Sequence, residues 1–180
     1  MRVTFGAHFL TLRSWKSKGE MIQALRDIDA RTVTLGQQCE YEKEFYSCVV
    51  HLEPPAQNLG ICVLSEGQGA IPNLLLQPEN GVLVFGFNRE VVGIRVPDGQ
   101  IAFQTELPST FYSFTPLREW QMILAFHELG VAALRDDGRA LWKFRIDVLT
   151  THSVEGDSLR LESMEGNAVL LDLVTGRPKA

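Results

Sequence analysis

Three similar segments in the second half of the chain restrict its fold more than any other feature. They read VVGIRVPDGQIAF (91–103), VAALRDDGRALWKF (131–144) and AVLLDLVTGRPKA (168–180). Each carries a turn glycine, and the spacings are 39 and 38 residues between Gly99, Gly138 and Gly176. An aromatic residue follows the first two glycines by four positions: Phe103 and Trp142. In the third segment that position is Ala180. Each segment therefore predicts a hairpin of hydrophobic strand, tight turn and second strand, and the aromatics of the first two are expected to pack on a neighbouring sheet.

The sequence from residue 81 onward predicts short strands joined by turns and no helix. The runs rich in β-branched and aromatic residues are 82–87, 91–96, 101–106, 122–126, 131–134, 140–146, 158–163 and 168–173. Strands about ten residues apart with tight turns between them indicate antiparallel meanders.

The first part of the chain contains the one segment with helical periodicity. Met21, Ile22, Leu25 and Ile28 form an apolar stripe, which predicts a helix over about 17–30. Ser17 with Glu20 has the form of a capping box. A strand with an irregular centre is expected at 3–12, and further strands are expected at 31–35, 45–52 and 60–64.

These elements predict an α+β protein of mainly antiparallel β structure. Residues 1–80 would form a strand–helix–strand part that ends in a turn-rich junction at 66–81. Residues 81–180 would form blade-like β-meander repeats packed on it within one compact domain. The N-terminal unit would cap one edge of the stack.

The repeats resemble those of pyrroloquinoline-quinone-type β-propellers. The match lies in LLDLVTGR (170–177) for the turn and in ALRDDGRALW (133–142) for the tryptophan. The resemblance implies blade-like sheets. A closed propeller has roughly four or more blades, whereas this chain holds two and a partial third, so we expect an open stack or a ring completed by self-association. The residues that would hold quinone and calcium have no counterpart, so no cofactor is expected.

Composition restricts the classes of partner. The chain has 180 residues, a net charge of −5 and no basic patch, so a nucleic-acid partner is not expected. Neither a secretory signal nor a run of about 18 apolar residues occurs, so we expect no membrane contact and a cytoplasmic location. The odd count of cysteines (Cys39, Cys48 and Cys62) predicts reduced, mostly buried thiols.

No motif predicts catalytic, cofactor-binding or metal-binding residues. The four histidines lack metal-ligand spacing, and Ser109 and Ser153 lack a nucleophile context. One run combines acidic and aromatic residues: Glu40, Tyr41, Glu42, Glu44 and Tyr46. It predicts a surface for a basic protein partner. The alternative is a solvated turn followed by a strand whose aromatics face inward.

These observations favour a non-enzymatic protein-binding function. The format, a small acidic chain with an early helix followed by strands, is similar to that of immunity proteins of bacterial polymorphic toxin systems, which implies a toxin-neutralising role. The alternative is a small-molecule-binding domain or an enzyme whose site is assembled from scattered loops. Exposed sheet edges leave self-association open as a third hypothesis.

Overall fold

The protein is described by a computed structural model, which covers residues 2–5, 8–37, 41–53, 55–67 and 71–179. Strands dominate these residues, and they form four separate sheets, numbered I to IV here in chain order. Most strand pairs are antiparallel, as the sequence predicts.

Sheet I contains the N-terminal elements. These are β1 Arg2–Phe5, β2 His8–Trp15, helix α1 Lys18–Asp27, β3 Arg31–Leu35, β4 Glu44–His51 and β5 Leu59–Ser65. The strand order is β1-β2-β4-β5-β3, and only β3 and β5 in it run parallel. The single strand expected over 3–12 is instead a hairpin in which Arg2 lies opposite Thr11, so that prediction is wrong.

Sheets II to IV are meanders in which each strand pairs with the next along the chain. Sheet II contains β6 Asn73–Gln77, β7 Val82–Phe87, β8 Glu90–Arg95 and β9 Ile101–Glu106. Sheet III contains β10 Phe111–Leu117, β11 Met122–His127, β12 Gly130–Arg135 and β13 Ala140–Arg145. Sheet IV contains β14 Leu149–Glu155, β15 Ser158–Ser163 and β16 Ala168–Asp172. This repetition confirms the predicted blade-like meanders.

The first strand of each repeat was missed by the sequence analysis. These strands, β6, β10 and β14, lie at sheet edges and are only partly buried, so they lack a continuous apolar run. Bulges between Phe111 and Ser113 and between Leu149 and Thr151 further disturb their alternation. Because β6 belongs to sheet II, the first blade begins inside the predicted 66–81 junction.

Helix α1 begins where its cap predicts. The Ser17 side chain accepts a hydrogen bond from the Glu20 backbone N–H at 3.2 Å. The helix ends at Asp27, before the predicted residue 30, and Asp29 just beyond it has a left-handed φ of 48°. Met21 and Leu25 are buried against sheet I, so the helix covers the face of that sheet which points away from sheet II.

The four sheets stack face to face in chain order. One apolar cluster joins sheet I to sheet II, a second joins II to III and a third joins III to IV. The central strands of sheets II and III, β7, β8, β11 and β12, are therefore buried on both faces. Burial on both faces explains why their sequences are continuous hydrophobic runs.

The repeated aromatic packs on the turn glycine of the following sheet. The Phe103 ring lies against Gly138, and the Trp142 ring lies against Gly176. Hydrogen bonds accompany both contacts. Thr105 Oγ1 donates to the Gly138 carbonyl at 2.9 Å, and Trp142 Nε1 donates to the Leu173 carbonyl at 2.9 Å. A side chain larger than hydrogen at either glycine would overlap the ring.

The outward face of sheet IV is polar along β15, and Leu170 of β16 lies beside it, 40% exposed. Ser158, Arg160 and Glu162 alternate along β15 with the buried Leu159 and Leu161. The Arg160 guanidinium donates two hydrogen bonds to Glu162 Oε1, at 2.7 and 2.9 Å. The corresponding positions of β11 carry Met122, Leu124 and Phe126, which pack on sheet IV. Along β15 sheet IV is therefore apolar towards sheet III and mainly polar on its other face.

A pair of glycines allows the cost of lost packing to be distinguished from the cost of backbone strain. Gly138 and Gly166 both have a φ of 82°, but an added Cβ would overlap Phe103 at Gly138 and meet nothing within 4 Å at Gly166. Gly166→Ala should cost about 1–2 kcal/mol of unfolding free energy from the left-handed backbone alone. Gly138→Ala should cost about 1–3 kcal/mol more because the ring must move. Urea denaturation measures both, and equal losses would contradict the importance of the aromatic–glycine contact.

Candidate functional site

An apolar cleft lies between sheets I and II. Its volume is about 430 Å³, and its walls come from β2, β4 and β5 on one side and from the chain around β6 on the other. Tyr46, Cys48 and Val63 line the wall of sheet I, while Leu74, Leu76 and Phe85 line that of sheet II. A concave, mainly apolar cavity of this size is the usual form of a ligand site.

Strand β6 gives the cleft an exposed backbone edge. β6 pairs with β7 on one side, and in the part of the chain that the structure describes no strand pairs with its other side. Four consecutive residues leading into and along this strand, Ile71 to Leu74, line the cleft. Ile71 is 69% exposed, so an apolar side chain stands at the rim.

Opposite β6, strand β2 extends beyond its N-terminal partner. The described pairing with β1 reaches Thr11, whereas β2 runs on to Trp15 alongside β4. Arg13 and Ser14 lie in this extension and line the cleft. The arrangement thus places two extended strand segments on either side of an apolar floor.

A thiol and a phenol that line the cleft both have raised pKa values. Burial raises the pKa of the Cys48 thiol to about 12. Burial and a hydrogen bond to Glu44 raise the pKa of Tyr46 to about 12, and the Tyr46 hydroxyl donates to Glu44 Oε2 at 2.7 Å. A thiol and a phenol with such pKa values supply neither a nucleophile nor a base near pH 7.

The predicted partner-binding segment is split between two places. Glu44 and Tyr46 lie in β4 beside the cleft, whereas Glu42 accepts two hydrogen bonds from Lys18 Nζ, at 2.8 and 2.9 Å. Tyr41 is 60% exposed, and Glu40 lies outside the described residues. The structure therefore brings Tyr46 into the cleft and pairs the partly exposed Glu42 with Lys18 of helix α1.

Sequence reasoning missed the cleft residues on sheet II. Leu74–Leu76 is an apolar run within the turn-rich 66–81 segment, but nothing in the sequence places it opposite Tyr46 and Cys48. One sequence feature does indicate a strand here: the apolar run follows Ile71-Pro72. Proline is found at the start of strands and in edge strands, because it cannot donate a hydrogen bond to a neighbouring strand.

A buried histidine–serine pair lies away from the cleft. His127 Nδ1 and Ser109 Oγ are 2.8 Å apart, and Ser109 Oγ also accepts the Leu129 backbone N–H at 2.9 Å. Both side chains are buried, and neither lines the cleft. The pair fixes the connection between sheets II and III, and a substrate has no evident access to it.

The remaining chemistry of the described residues is sparse. Among them, no three His, Cys, Asp or Glu side chains converge as metal ligands. Cys48 and Cys62 are buried free thiols, and Cys39 lies outside the described residues. No helix within the described ranges has the length and apolar character needed to cross a bilayer.

Comparison by sequence finds no similar family: no protein-family model matches the chain, and no curated protein matches it. Comparison by structure finds β-propeller-like proteins. Sqt1 from Saccharomyces cerevisiae has a TM-score of 0.52 and 16% identity, over 80% of this chain and 45% of its own. The computationally designed Ika8 protein has a TM-score of 0.52 and 14% identity, over 79% and 46%. The designed Ika4 protein has a TM-score of 0.50 and 13% identity, over 64% and 74%.

These likenesses concern the fold alone. The chain spans less than half of Sqt1 and Ika8, and its four sheets do not close into a ring. The predicted propeller-like repeats are therefore confirmed. Assignment to the pyrroloquinoline-quinone type stays a prediction.

The buried His127 should make stability fall in mild acid. Burial, aided by the charge of Lys143, lowers its pKa from 6.5 to about 4. Between pH 6.5 and pH 4, His127 is protonated in the unfolded chain but stays neutral in the folded protein. The free energy of unfolding therefore decreases as the pH falls towards 4. The loss reaches about 3 kcal/mol at most. Burial lowers the pKa of His152 too, which adds a loss of the same sign.

Urea denaturation of the wild type and of His127→Phe over this pH range measures the effect. Phenylalanine is a suitable replacement because Phe87 holds the corresponding end position of β7. The variant should show a shallower decline in acid than the wild type. Parallel declines would mean that other groups, such as the carboxylates, carry the whole acid sensitivity.

Proposed function

We propose that this protein is a non-enzymatic binding protein that holds an extended apolar segment of a partner protein in the cleft between sheets I and II. The observation that carries the proposal is the pairing of an apolar cleft of about 430 Å³ with the exposed edge of β6. An added strand would gain backbone hydrogen bonds from that edge and would place alternate side chains on the apolar floor.

The energetics favour an apolar segment. Leu74 and Leu76 are only half-buried, so an occupant would remove apolar surface from water at about 25 cal/mol per Å². Within the described lining of the cleft, Arg13 is the one charged side chain, and no ion pair involves it. An acidic residue in the partner segment, next to apolar ones, would complement it.

The chemistry of the cleft supports binding over catalysis. Its thiol and phenol are protonated near pH 7, and its described lining contains no histidine or carboxylate. A small apolar molecule would also fit the volume. The strand edge favours a polypeptide, because a small molecule would leave the β6 backbone groups unused.

A more specific version of the proposal is a toxin-neutralising role in the cytoplasm. The net charge of −5, the exposed Tyr41 and the adjacent carboxylates Glu42 and Glu44 support contact with a basic face of the partner beside the cleft. The buried free thiols Cys48 and Cys62 fit a reducing compartment.

Two exposed apolar residues allow a matched test of the cleft. Ile71 at the cleft rim and Met164 in the connection between β15 and β16 are 69% and 70% exposed. Ile71→Asp should abolish retention of the partner by the tagged protein, whereas Met164→Asp should retain it. In the complex, hydrogen exchange should slow at the amides of β6. A partner equally retained by both variants, or a bound small molecule in place of a protein, would overturn the proposal.

The basic-partner version makes a separate prediction. Glu42→Lys with Glu44→Lys should slow association by about tenfold at low salt, because attraction of opposite charges accelerates encounter. Glu155→Lys with Glu165→Lys makes the same change of charge on exposed residues of the sheet IV region. Association rates at several salt concentrations measure the effect, and equal slowing by both pairs of changes would show that only net charge matters.

A further inference from the structure

A polar pair interrupts the apolar packing at one position of the stack. Leu117, at the end of β10, and Leu173, after β16, belong to the apolar cluster between sheets III and IV. One repeat earlier, between sheets II and III, the corresponding residues are Gln77, at the end of β6, and Asp136, after β12. Val96 holds the position of Asp136 in sheet II, where it is buried.

The orientation of the Gln77 amide is determined by its partner. Gln77 is 8% exposed, and its Nε2 donates to Asp136 Oδ1 at 3.0 Å. A carboxylate only accepts hydrogen bonds, so the amide cannot be reversed. Gln77 Oε1 is consequently buried, and none of the described residues donates a hydrogen bond to it. A buried acceptor without a donor is costly, so its presence calls for an explanation such as a bound donor.

A cavity of about 320 Å³ adjoins this amide. Gln77, Asp136 and Glu79 line it, and Arg118 and Gln121 complete its polar wall. Among the described residues, neither Glu79 nor Asp136 forms an ion pair. Gln121 has a left-handed φ of 47°, at a position where sheet II has Gly81 with a φ of 61°. The wall therefore offers two carboxylates and the adjacent buried amide oxygen as acceptors, with the Arg118 guanidinium as its one cation among the described lining residues, so a second positive charge would balance the two carboxylates.

We propose that this cavity binds a primary ammonium group. An ammonium has three N–H donors and a positive charge. Gln77 Oε1 would take one donor, and the carboxylates of Asp136 and Glu79 would take the other two while balancing the charge. The group belongs either to a free alkylamine or to a lysine side chain of a polypeptide. The site lies on the other side of β6 from the apolar cleft, and Leu76 is the one described residue that lines both cavities.

The Gln77 side-chain amide reports occupancy directly. In nitrogen–proton NMR spectra, n-butylammonium should shift the Gln77 amide signals in a saturable manner. Tetramethylammonium has the same charge and no N–H donor, so it should leave them in place. Equal shifts with both cations, or none with n-butylammonium at tens of millimolar, would overturn the proposal and leave water as the partner of Oε1.

Substitution of Gln77 and Asp136 by the residue types found at equivalent positions of other repeats tests their role in binding and should preserve the fold. Gln77→Leu with Asp136→Val installs the residue types of Leu117 and Val96, so the protein should melt at the same temperature or higher. Its affinity for n-butylammonium, followed by calorimetry and by backbone amide shifts around the cavity, should fall by at least about tenfold. Glu119→Gln is the charge control, because Glu119 lies outside the cavity lining. Unchanged affinity in the double variant would contradict the assignment.

Two peptides distinguish the sources of the ammonium. A short blocked peptide with a single lysine should bind as n-butylammonium does, and the same peptide with acetyl-lysine should not bind. Tighter binding of the lysine peptide than of n-butylammonium assigns the site to a polypeptide side chain, and the reverse order assigns it to a free amine. Equal binding of the lysine and acetyl-lysine peptides would show that the ammonium is not what the cavity recognises.

Discussion

The contact between an aromatic ring and a turn glycine holds successive sheets in register. Sheets II and III each offer a ring from the last strand, and the next sheet offers a glycine that leaves room for it: Phe103 packs on Gly138, and Trp142 packs on Gly176. The turn that supplies the glycine is itself fixed by hydrogen bonds, for example from the Arg139 backbone N–H to Asp137 Oδ1 at 3.0 Å. The apolar clusters between sheets II and III and between sheets III and IV lie beside these contacts.

Sheet I packs on the turn glycine of sheet II through residues of a different type. Leu59 and the Arg31 guanidinium occupy the place in front of Gly99 that an aromatic ring occupies elsewhere. Asn88 adds a polar connection, since its side chain donates to the Leu64 carbonyl at 3.1 Å and accepts the Glu66 backbone N–H at 2.9 Å. A unit of different topology is thereby joined to the repeats, and the cleft lies at this junction.

The sequence predicts the strands that a local pattern of apolar and turn residues defines. It does not predict the edge strands or the sites that form where sheets stack. Strands β7, β9 and β15 were predicted with their observed bounds, because apolar runs or strict alternation between turn residues define them. Edge strand β10 carries a bulge and Pro116, and its partial burial leaves no such pattern. The cleft and the Gln77–Asp136 pair are formed by residues far apart in sequence. Gln77 and Asp136, for example, are 59 positions apart, so no local motif predicts their contact.

The polar outer face of sheet IV bears on how such a chain can lengthen. A duplicated repeat inserted between sheets II and III would meet apolar faces on both sides, and each of its rings would find a glycine. The same repeat appended beyond sheet IV would have to strip water from the Arg160–Glu162 pair and bury it, which is unfavourable without new partners. Growth of this architecture is therefore easier from its middle than from its solvated end.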